Sequence, residues 1–333
     1  MRQYQTVGIK AFRRHAGLLG ASLVVLVPLA SLASACGSDP ARACRVGADC
    51  ASGACTSDGQ CVPVPTGDGG PDSGAGGDSA TSADGDVKDA PGDTLGPGCT
   101  PNKDGTITRD EVPIAAGLHA TYKIGKEEDV STAGTPAAGN KRVWDYSAAL
   151  ASDVSVLVET LPLTGKWYAS KFPGATYASK LAEGSDLLGV FETSPGALLL
   201  RGVVSPSETS SKTELTNTPA VSVLKFPLTM SATWTTDTAV GGTAQGVALF
   251  GTYSEKYTSV VDAAGTLKTP LGTFDVLRVK VVLVRQIVGF LPKTIRTFAF
   301  VTECYGTIAT VTSSDNETNE EFTHASEIRR IAP

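Results

Sequence analysis

The stretch CTPNKDGTITRDE, from Cys99 to Glu111, carries oxygen-bearing side chains at the spacing of a calcium-binding loop. In such a twelve-residue loop, positions 1, 3, 5, 7 and 12 contribute ligands, and a glycine at position 6 allows the sharp turn. In this alignment Gly105 takes position 6. The candidate ligands are Thr100, Asn102, Asp104, Thr106 and Glu111.

This EF-hand-like loop, residues 99–112, departs from the calcium-binding pattern in two respects. Position 1 is Thr100 instead of an aspartate, and Pro113 stops any helix that would leave the loop. Two interpretations therefore stay open. One is a weak calcium site with a Kd of about 10⁻⁴ to 10⁻³ M; the other is a plain Asp-Gly turn at 104–105.

A second reactive position is Cys36, which follows a basic and then an apolar N-terminus. Four basic residues precede an apolar run from Ala16 to Leu32, and small residues come next. This pattern predicts a secretory signal peptide over residues 1–35. A retained transmembrane helix is the alternative, although Pro28 interrupts the run.

The residues before Cys36 fit two processing enzymes. Ala33-Ser34-Ala35 is an ordinary signal-peptidase pattern, whereas Leu32 to Cys36 resembles a bacterial lipobox, whose cysteine is acylated. The chain has seven cysteines, and an odd count in a secreted protein leaves one thiol unpaired unless it is modified. We therefore predict a lipoprotein whose membrane anchor is a palmitate-type chain on Cys36. The residue after the acylated cysteine is Gly37. It is not the aspartate that retains bacterial lipoproteins at the inner membrane, so we expect the outer membrane or the cell surface.

The charge balance restricts the partners of this chain. Its formal net charge is −6. Loss of residues 1–35 removes four of the 28 basic residues and no acidic one, which leaves 24 against 34 acidic side chains, or about −10. Such a charge argues against nucleic acid and against adhesion to anionic lipid. The membrane contact must therefore come from the N-terminal lipid.

Two polar segments follow Cys36. Residues 36–65 form a short module with four cysteines: Cys44, Cys50, Cys55 and Cys61. We expect two disulfides there, with first-to-third and second-to-fourth pairing favoured and a zinc site as the alternative. Residues 66–98 contain ten glycines and seven aspartates, so they are predicted to be a disordered acidic linker.

Residues 113–333 are predicted to form one all-β domain, either an antiparallel sandwich or a strongly curved half-barrel. In TFDVLRVKVVLVRQIV, Leu277 and Val279 share one face, whereas Arg278 lies on the other, which we expect to be solvated at the start of the strand. The residues DAAGT at 262–266 are expected to separate two strands. Other strand candidates are DVSVLVET, GALLLRGVV, PAVSVLKF, YGTIATVTS and TIRTFAFVTECYG.

Cys99 and Cys304 remain after the small module is paired. We predict that they bond to each other and fasten the start of the β domain to an inner face late in the chain. Two buried free thiols are the alternative.

Three patterns in this domain resemble a β domain that recurs in uncharacterised bacterial surface lipoproteins. They are Val143-Trp144-Asp145-Tyr146-Ser147, LKFPLTMSATW at 224–234 and GTLKTPLGTFDVLRVK at 265–280. The resemblance implies an extracytoplasmic β fold and supplies no active site. Trp144 and Trp234 are interpreted as core anchors.

Signatures of catalysis are not found in this sequence. It contains no H-E-x-x-H, G-x-S-x-G, Walker or Rossmann pattern. His119 and His324 are interpreted as surface or packed residues and not as catalytic bases, and the acidic clusters at 127–129 and 317–321 are expected to be solvated. We therefore expect a non-catalytic binding, adhesion or structural role toward an envelope macromolecule. A carrier of lipid or another apolar molecule is the first alternative, and a hydrolase is the second.

Overall fold

The computed structural model describes residues 99–249 and 251–333. These residues form fifteen strands and two short 3₁₀ turns, at Ala138–Asn140 and Ala169–Lys171. The strands are β1 (His119–Asp129), β2 (Thr135–Pro136), β3 (Arg142–Asp145), β4 (Val154–Leu161), β5 (Tyr177–Lys180), β6 (Leu188–Ser194), β7 (Ala197–Val204), β8 (Glu214–Lys225), β9 (Thr233–Ala244), β10 (Val247–Ala248), β11 (Tyr253–Lys268), β12 (Thr273–Gln286), β13 (Lys293–Thr302), β14 (Gly306–Ser313) and β15 (His324–Ala332).

The predictions for the N-terminal third lie outside the described residues. They concern the signal peptide, the lipid on Cys36, the four-cysteine module and the acidic linker. The described residues contain no helix with the length and hydropathy that a bilayer crossing requires.

Twelve strands close into an up-and-down barrel. β1 pairs with β4, the chain continues through neighbouring strands to β9, and β9 pairs with β11. Strands β11 to β15 then follow in order, and β15 returns to β1. The predicted all-β, antiparallel class is confirmed, and the expected curvature continues to full closure. Closure pairs every barrel strand on both sides, and among the described residues edges remain only at the two-residue strands β2 and β10.

Apolar side chains from opposite walls of the barrel meet in its interior and form what we call the lumen core. β11 to β13 contribute Val261, Leu277, Val279 and Val301, and β7 to β9 contribute Leu198, Leu224 and Trp234. We call the barrel end with the β11–β12 turn the lower end. The segment before β1 closes this end, because Ile107 exchanges backbone hydrogen bonds of 2.9 and 2.8 Å with Leu228 and packs into the lumen core.

A second core lies on the outer face of β12 to β15. We call β2, β3 and the loops beside them, residues 130–150, the flap. The flap side chains Trp144 and Tyr146 meet Phe300 edge to face, with ring centroids 5.0 and 5.7 Å apart. Trp144 is 1% exposed and Trp234 is 7% exposed, so both predicted core anchors are buried. A third, smaller cluster with Tyr168 and Phe172 covers the outer face of β5 to β7.

β3 joins the barrel through a parallel pairing with the end of β11. Gly265 faces Arg142 in this pairing, and a Cβ atom at Gly265 would lie 1.8 Å from the Arg142 carbonyl oxygen. Glycine is therefore required where the flap backbone reaches the barrel wall.

The expectation that DAAGT at 262–266 separates two strands is wrong. These residues lie inside β11, where the register shifts between Val261 and Ala263 against β12. The extra residue of this β-bulge, Asp262, is turned to the outer face, where its carboxylate binds Arg278. Asp262 and Gly265 resembled turn residues in the sequence. In the structure, Asp262 forms the β-bulge, and Gly265 allows the backbone of β3 to approach β11 closely.

The predicted exposure of β12 is also wrong at its start. Leu277 and Val279 do share the lumen face, but Arg278 on the outer face is only 3% exposed. The flap and the β14–β15 loop cover this face. Both are distant in sequence from β12, so the alternation of residues within the strand could not predict this burial. Later in β12, Val281 and Val282 are half-buried.

The predicted bond between Cys99 and Cys304 is present. Cys304 does not lie on an inner strand face, as expected, but in the turn between β13 and β14. The bridge joins positions 205 residues apart and holds the segment before β1 at the lower end of the barrel.

We expect Gly265→Ala to lower the free energy of unfolding by about 2–3 kcal/mol, because the new methyl group would push β3 off β11. Gly196→Ala is the matched control, since a Cβ atom there meets nothing within 4 Å, and should change stability by less than about 0.5 kcal/mol. Urea unfolding of both variants measures the difference. Equal stability of the two variants would contradict the parallel pairing.

Candidate functional site

The predicted calcium loop is closed by hydrogen bonds among its own residues. The Asn102 amide donates to Glu111 Oε1 (2.6 Å), and the Thr108 backbone N–H and hydroxyl both donate to Glu111 Oε2 (2.8 Å). Asp104 Oδ1 accepts the Thr106 N–H (2.7 Å). The structure therefore brings Asn102 and Glu111 together, whereas the described side-chain hydrogen bonds do not include Thr100.

The loop is also fixed to the β13–β14 turn. Both carboxylate oxygens of Glu303, which is 8% exposed, accept the Lys103 N–H at 3.2 Å, and the Cys304 N–H donates to the Glu111 carbonyl (2.7 Å). Sequence reasoning missed Glu303, because 200 residues separate it from Lys103. In the described part of the chain, no group of three His, Cys, Asp or Glu side chains is arranged to hold a metal ion. The hydrogen bonds favour the turn interpretation.

An open groove of about 450 Å³ lies under the flap, on the outer face of β1 and β15. Its lining residues include Asp129, Ser131, Tyr146, Ala148, Ile328 and Arg330. The Tyr146 hydroxyl donates to the Ser131 carbonyl (2.9 Å), and burial raises the pKa of Tyr146 well above its usual value. Tyr146 therefore stays neutral and holds the two walls of the groove together.

Arg330 crosses the floor of the groove and is fully buried. Its guanidinium donates to the carbonyls of Tyr146 (3.1 Å) and Ala148 (2.7 Å) and forms an ion pair with Asp153. A buried cation needs such partners because its desolvation is costly. The contacts fix residues 146–153 against β15 and make the floor of the groove rigid.

The rim of the groove is acidic and exposed. Asp145 accepts hydrogen bonds from the Ser147 hydroxyl (2.6 Å) and the Lys268 ammonium (3.1 Å), and these bonds lower its pKa. Asp129 lies 2.9 Å from His324 Nδ1, and Glu127 lies 3.1 Å from Nε2. Hydrogen bonds to Asp129 and, to a smaller extent, to Glu127 raise the pKa of His324 above the ordinary histidine value of 6.5. This contact is therefore strongest below pH 6.5 and weakens as the pH rises through the raised pKa.

The acidic clusters that were expected to be solvated divide into two groups. Asp129 is exposed on the rim, as expected. Glu321 is not simply solvated, because it pairs with the buried Arg278 at 2.7 Å. The role of Glu321 was not predicted, because its partner Arg278 was expected to face solvent.

A smaller cavity of about 160 Å³ lies on the lumen side of the wall formed by β1, β4, β5, β14 and β15. Tyr122, Val158, Thr310 and Arg329 line it. The Tyr122 hydroxyl donates to the Thr307 carbonyl (2.8 Å), and burial raises the pKa of Tyr122 to about 12. Arg329 donates to Glu327 (2.7 Å) and to the Leu181 carbonyl. One side of the cavity is therefore polar, and hydrogen bonds hold the Tyr122 and Arg329 side chains in place there.

Comparison with known proteins found no matching family model, no matching curated protein and no matching solved structure.

We expect Glu111→Gln to lower the free energy of unfolding by about 1 kcal/mol, because it weakens the charge-assisted bonds from Thr108. Asp110→Asn is the matched control, since no described hydrogen bond uses the exposed Asp110 side chain. Thermal melts with and without millimolar calcium should give equal Tm values for each variant. A calcium-dependent rise in Tm in the wild type that Glu111→Gln removes would instead establish the calcium site.

Proposed function

We propose that this chain is an exported, lipid-anchored binding protein whose barrel domain contacts another macromolecule of the cell envelope and has no catalytic role. The observation that carries the proposal is the groove of about 450 Å³ under the flap. Its volume is in the range that ligand sites use. It combines a rigid floor with exposed polar groups at the rim, as recognition sites do.

The chemistry of the rim indicates what such a partner presents. Asp129 and Asp145 are exposed there, with 92% and 53% of their side chains accessible. The cation on the floor, Arg330, is already neutralised by Asp153. The groove therefore favours a segment with ammonium or hydroxyl groups over an anionic one.

The attachment to the membrane rests on the sequence. The basic and apolar N-terminus, the lipobox-like residues before Cys36 and the odd number of cysteines all support acylation of Cys36. The resemblance to surface lipoproteins supports the same setting. Because the chain enters the barrel at Cys99, the acidic linker would connect the lipid to the lower end.

A carrier of a lipid or another apolar molecule is the second candidate, and the cavity beside Arg329 favours it. Its volume of about 160 Å³ suits a polar head group better than a long acyl chain. Native mass spectrometry of the mature chain with Cys36→Ser, purified without detergent, separates the two candidates. A co-purified lipid mass supports the carrier, and a bare protein mass supports the groove.

We expect the N-terminal peptide of the protein from bacterial membranes to begin at Cys36 and to carry the mass of acyl chains. Cys36→Ser should move the protein from the membrane fraction to the soluble fraction. The remaining chain has a net charge of about −10 and therefore no electrostatic attachment to anionic lipid. Gly37→Ser, which keeps the cysteine, is the matched control. An unmodified N-terminal peptide in membrane-bound protein would refute the anchor.

We expect a photo-crosslinking residue at position 135, which is exposed, lines the groove and keeps both rim carboxylates, to capture an envelope component in living cells. Ala148→Trp should reduce this product about tenfold or more, because the indole would fill the groove that Ala148 lines. Ala149→Trp is the matched control: Ala149 is the exposed neighbour and does not line the groove. A product that survives Ala148→Trp, or no product at all, would contradict binding in the groove.

A further inference from the structure

The tip of the β12–β13 hairpin exposes four large apolar side chains at the upper end of the barrel. Ile287 is 40% exposed, Val288 85%, Phe290 71% and Leu291 91%. We call residues 287–291 the apolar tip. Sequence analysis assigned Ile287 and Val288 to a strand, but β12 ends at Gln286. A contiguous exposed apolar patch of this kind marks a site of interaction.

Three backbone groups of the apolar tip, one N–H and two carbonyls, have hydrogen-bond partners within the hairpin. The Phe290 N–H donates to the Ile287 carbonyl (3.0 Å), and Gly289 has a φ of 85° that allows this tight turn. The Gln286 side-chain amide donates to the carbonyls of Ile287 (3.3 Å) and Phe290 (3.1 Å). Polar backbone groups at a lipid surface need such partners, because water is scarce there.

The charges next to the apolar tip are neutralised in pairs. Lys293 pairs with Asp315 (2.6 Å), and Arg285 pairs with Glu255 (2.6 Å). The base of the hairpin is held to the β14–β15 loop, where the Thr294 N–H donates to Asn316 Oδ1 (2.9 Å) and the Asn316 N–H donates to the Thr294 carbonyl (2.7 Å). The tip is therefore a preorganised apolar surface without an excess of positive charge.

We infer that the apolar tip inserts into the bilayer that holds the lipid anchor, as a second and weaker membrane contact. This inference rests on the proposed lipidation of Cys36. Acyl chains on Cys36 would anchor the chain by themselves and would keep the barrel close to the bilayer, so a weak second contact is made at high effective concentration. The net charge of about −10 makes an uncharged phospholipid surface the better partner than an anionic one.

The length of chain before the barrel allows this contact. β12 has 14 residues, which span about 46 Å along the strand, or about 35 Å of barrel height at the usual strand tilt. The 33 residues of segment 66–98 reach at most about 110 Å when extended. A barrel joined to this segment at its lower end can therefore turn its upper end toward the same membrane.

The test uses the full mature chain with Cys36→Ser and vesicles of uncharged phosphatidylcholine. Without the lipid anchor, we expect weak binding: a minor but measurable fraction of the protein should co-float with these vesicles at high lipid concentration, while most of it stays soluble. We expect Phe290→Ser/Leu291→Ser to lower the partition coefficient about tenfold or more. Val154→Ser/Leu157→Ser is the matched control, because these β4 side chains are also exposed (46% and 57%). Circular dichroism melts check that both double variants remain folded.

A second readout places the tip in the bilayer. In Phe290→Trp, brominated lipids in the vesicles should quench the added tryptophan fluorescence, relative to the parent protein with its three native tryptophans. In the lipidated protein reconstituted into vesicles, this quenching should not change on dilution, because the contact is with the anchoring membrane.

Three results would overturn the inference. They are the absence of flotation, equal flotation of the tip and control variants, and no quenching at position 290, which would leave the tip as a contact for a protein partner. The mass of the Cys36 peptide is measured separately, so failure of the anchor and failure of the tip are distinguishable.

Discussion

The outer half of the structure depends on one buried cation, Arg278. Its guanidinium donates to both oxygens of Asp262 (2.9 and 2.8 Å), to both oxygens of Glu321 (2.7 and 3.2 Å) and to the Thr132 carbonyl (2.6 Å). It also lies 4.2 Å from the centroid of the Phe298 ring. An unpaired charge in this position would be strongly destabilising. The strand β12, the bulge of β11, the flap and the β14–β15 loop must therefore all come together around it.

Thr132 connects the Arg278 cluster to the groove. Its carbonyl accepts a second hydrogen bond, from Trp144 Nε1 (2.8 Å), and its hydroxyl donates to the Phe322 carbonyl (2.8 Å). Trp144 then packs on Phe300 and places Tyr146 over the groove floor. The shape of the groove thus follows from the partners of Arg278, although Arg278 does not line it.

Local patterns in the sequence predicted what depends on a single strand. Alternation placed Leu277 and Val279 on one face, and both lie in the lumen core. Elimination among the cysteines predicted the Cys99–Cys304 bond. What depends on distant segments could not be predicted in the same way. Asp262 looks like a turn residue until its partner Arg278 is known, and Glu321 looks solvated until the flap covers β12.

The candidate site follows the same division. The W-D-Y-S pattern identified Trp144 as a buried anchor, but nothing in it places Asp129 or Arg330, which arrive from β1 and β15. The spacing of residues 100–111 predicted a calcium loop, and the same spacing lets Asn102 and Thr108 donate to Glu111. One set of oxygen and amide groups can close a turn or hold a cation, so residue spacing alone does not distinguish the two.

The distribution of apolar surface also argues for a role at the exterior of the barrel. Side chains from opposite walls and from the segment before β1, which includes Ile107, fill the lower end of the lumen. The apolar surface buried there stabilises the fold. On the outside, the flap buries Trp144 and leaves an open groove, while the upper hairpin leaves Phe290 and Leu291 in water. Among the described residues, free strand edges remain only at the two-residue strands β2 and β10. The proposed recognition therefore relies on side chains of the outer face and the rim, where the groove and the apolar tip lie.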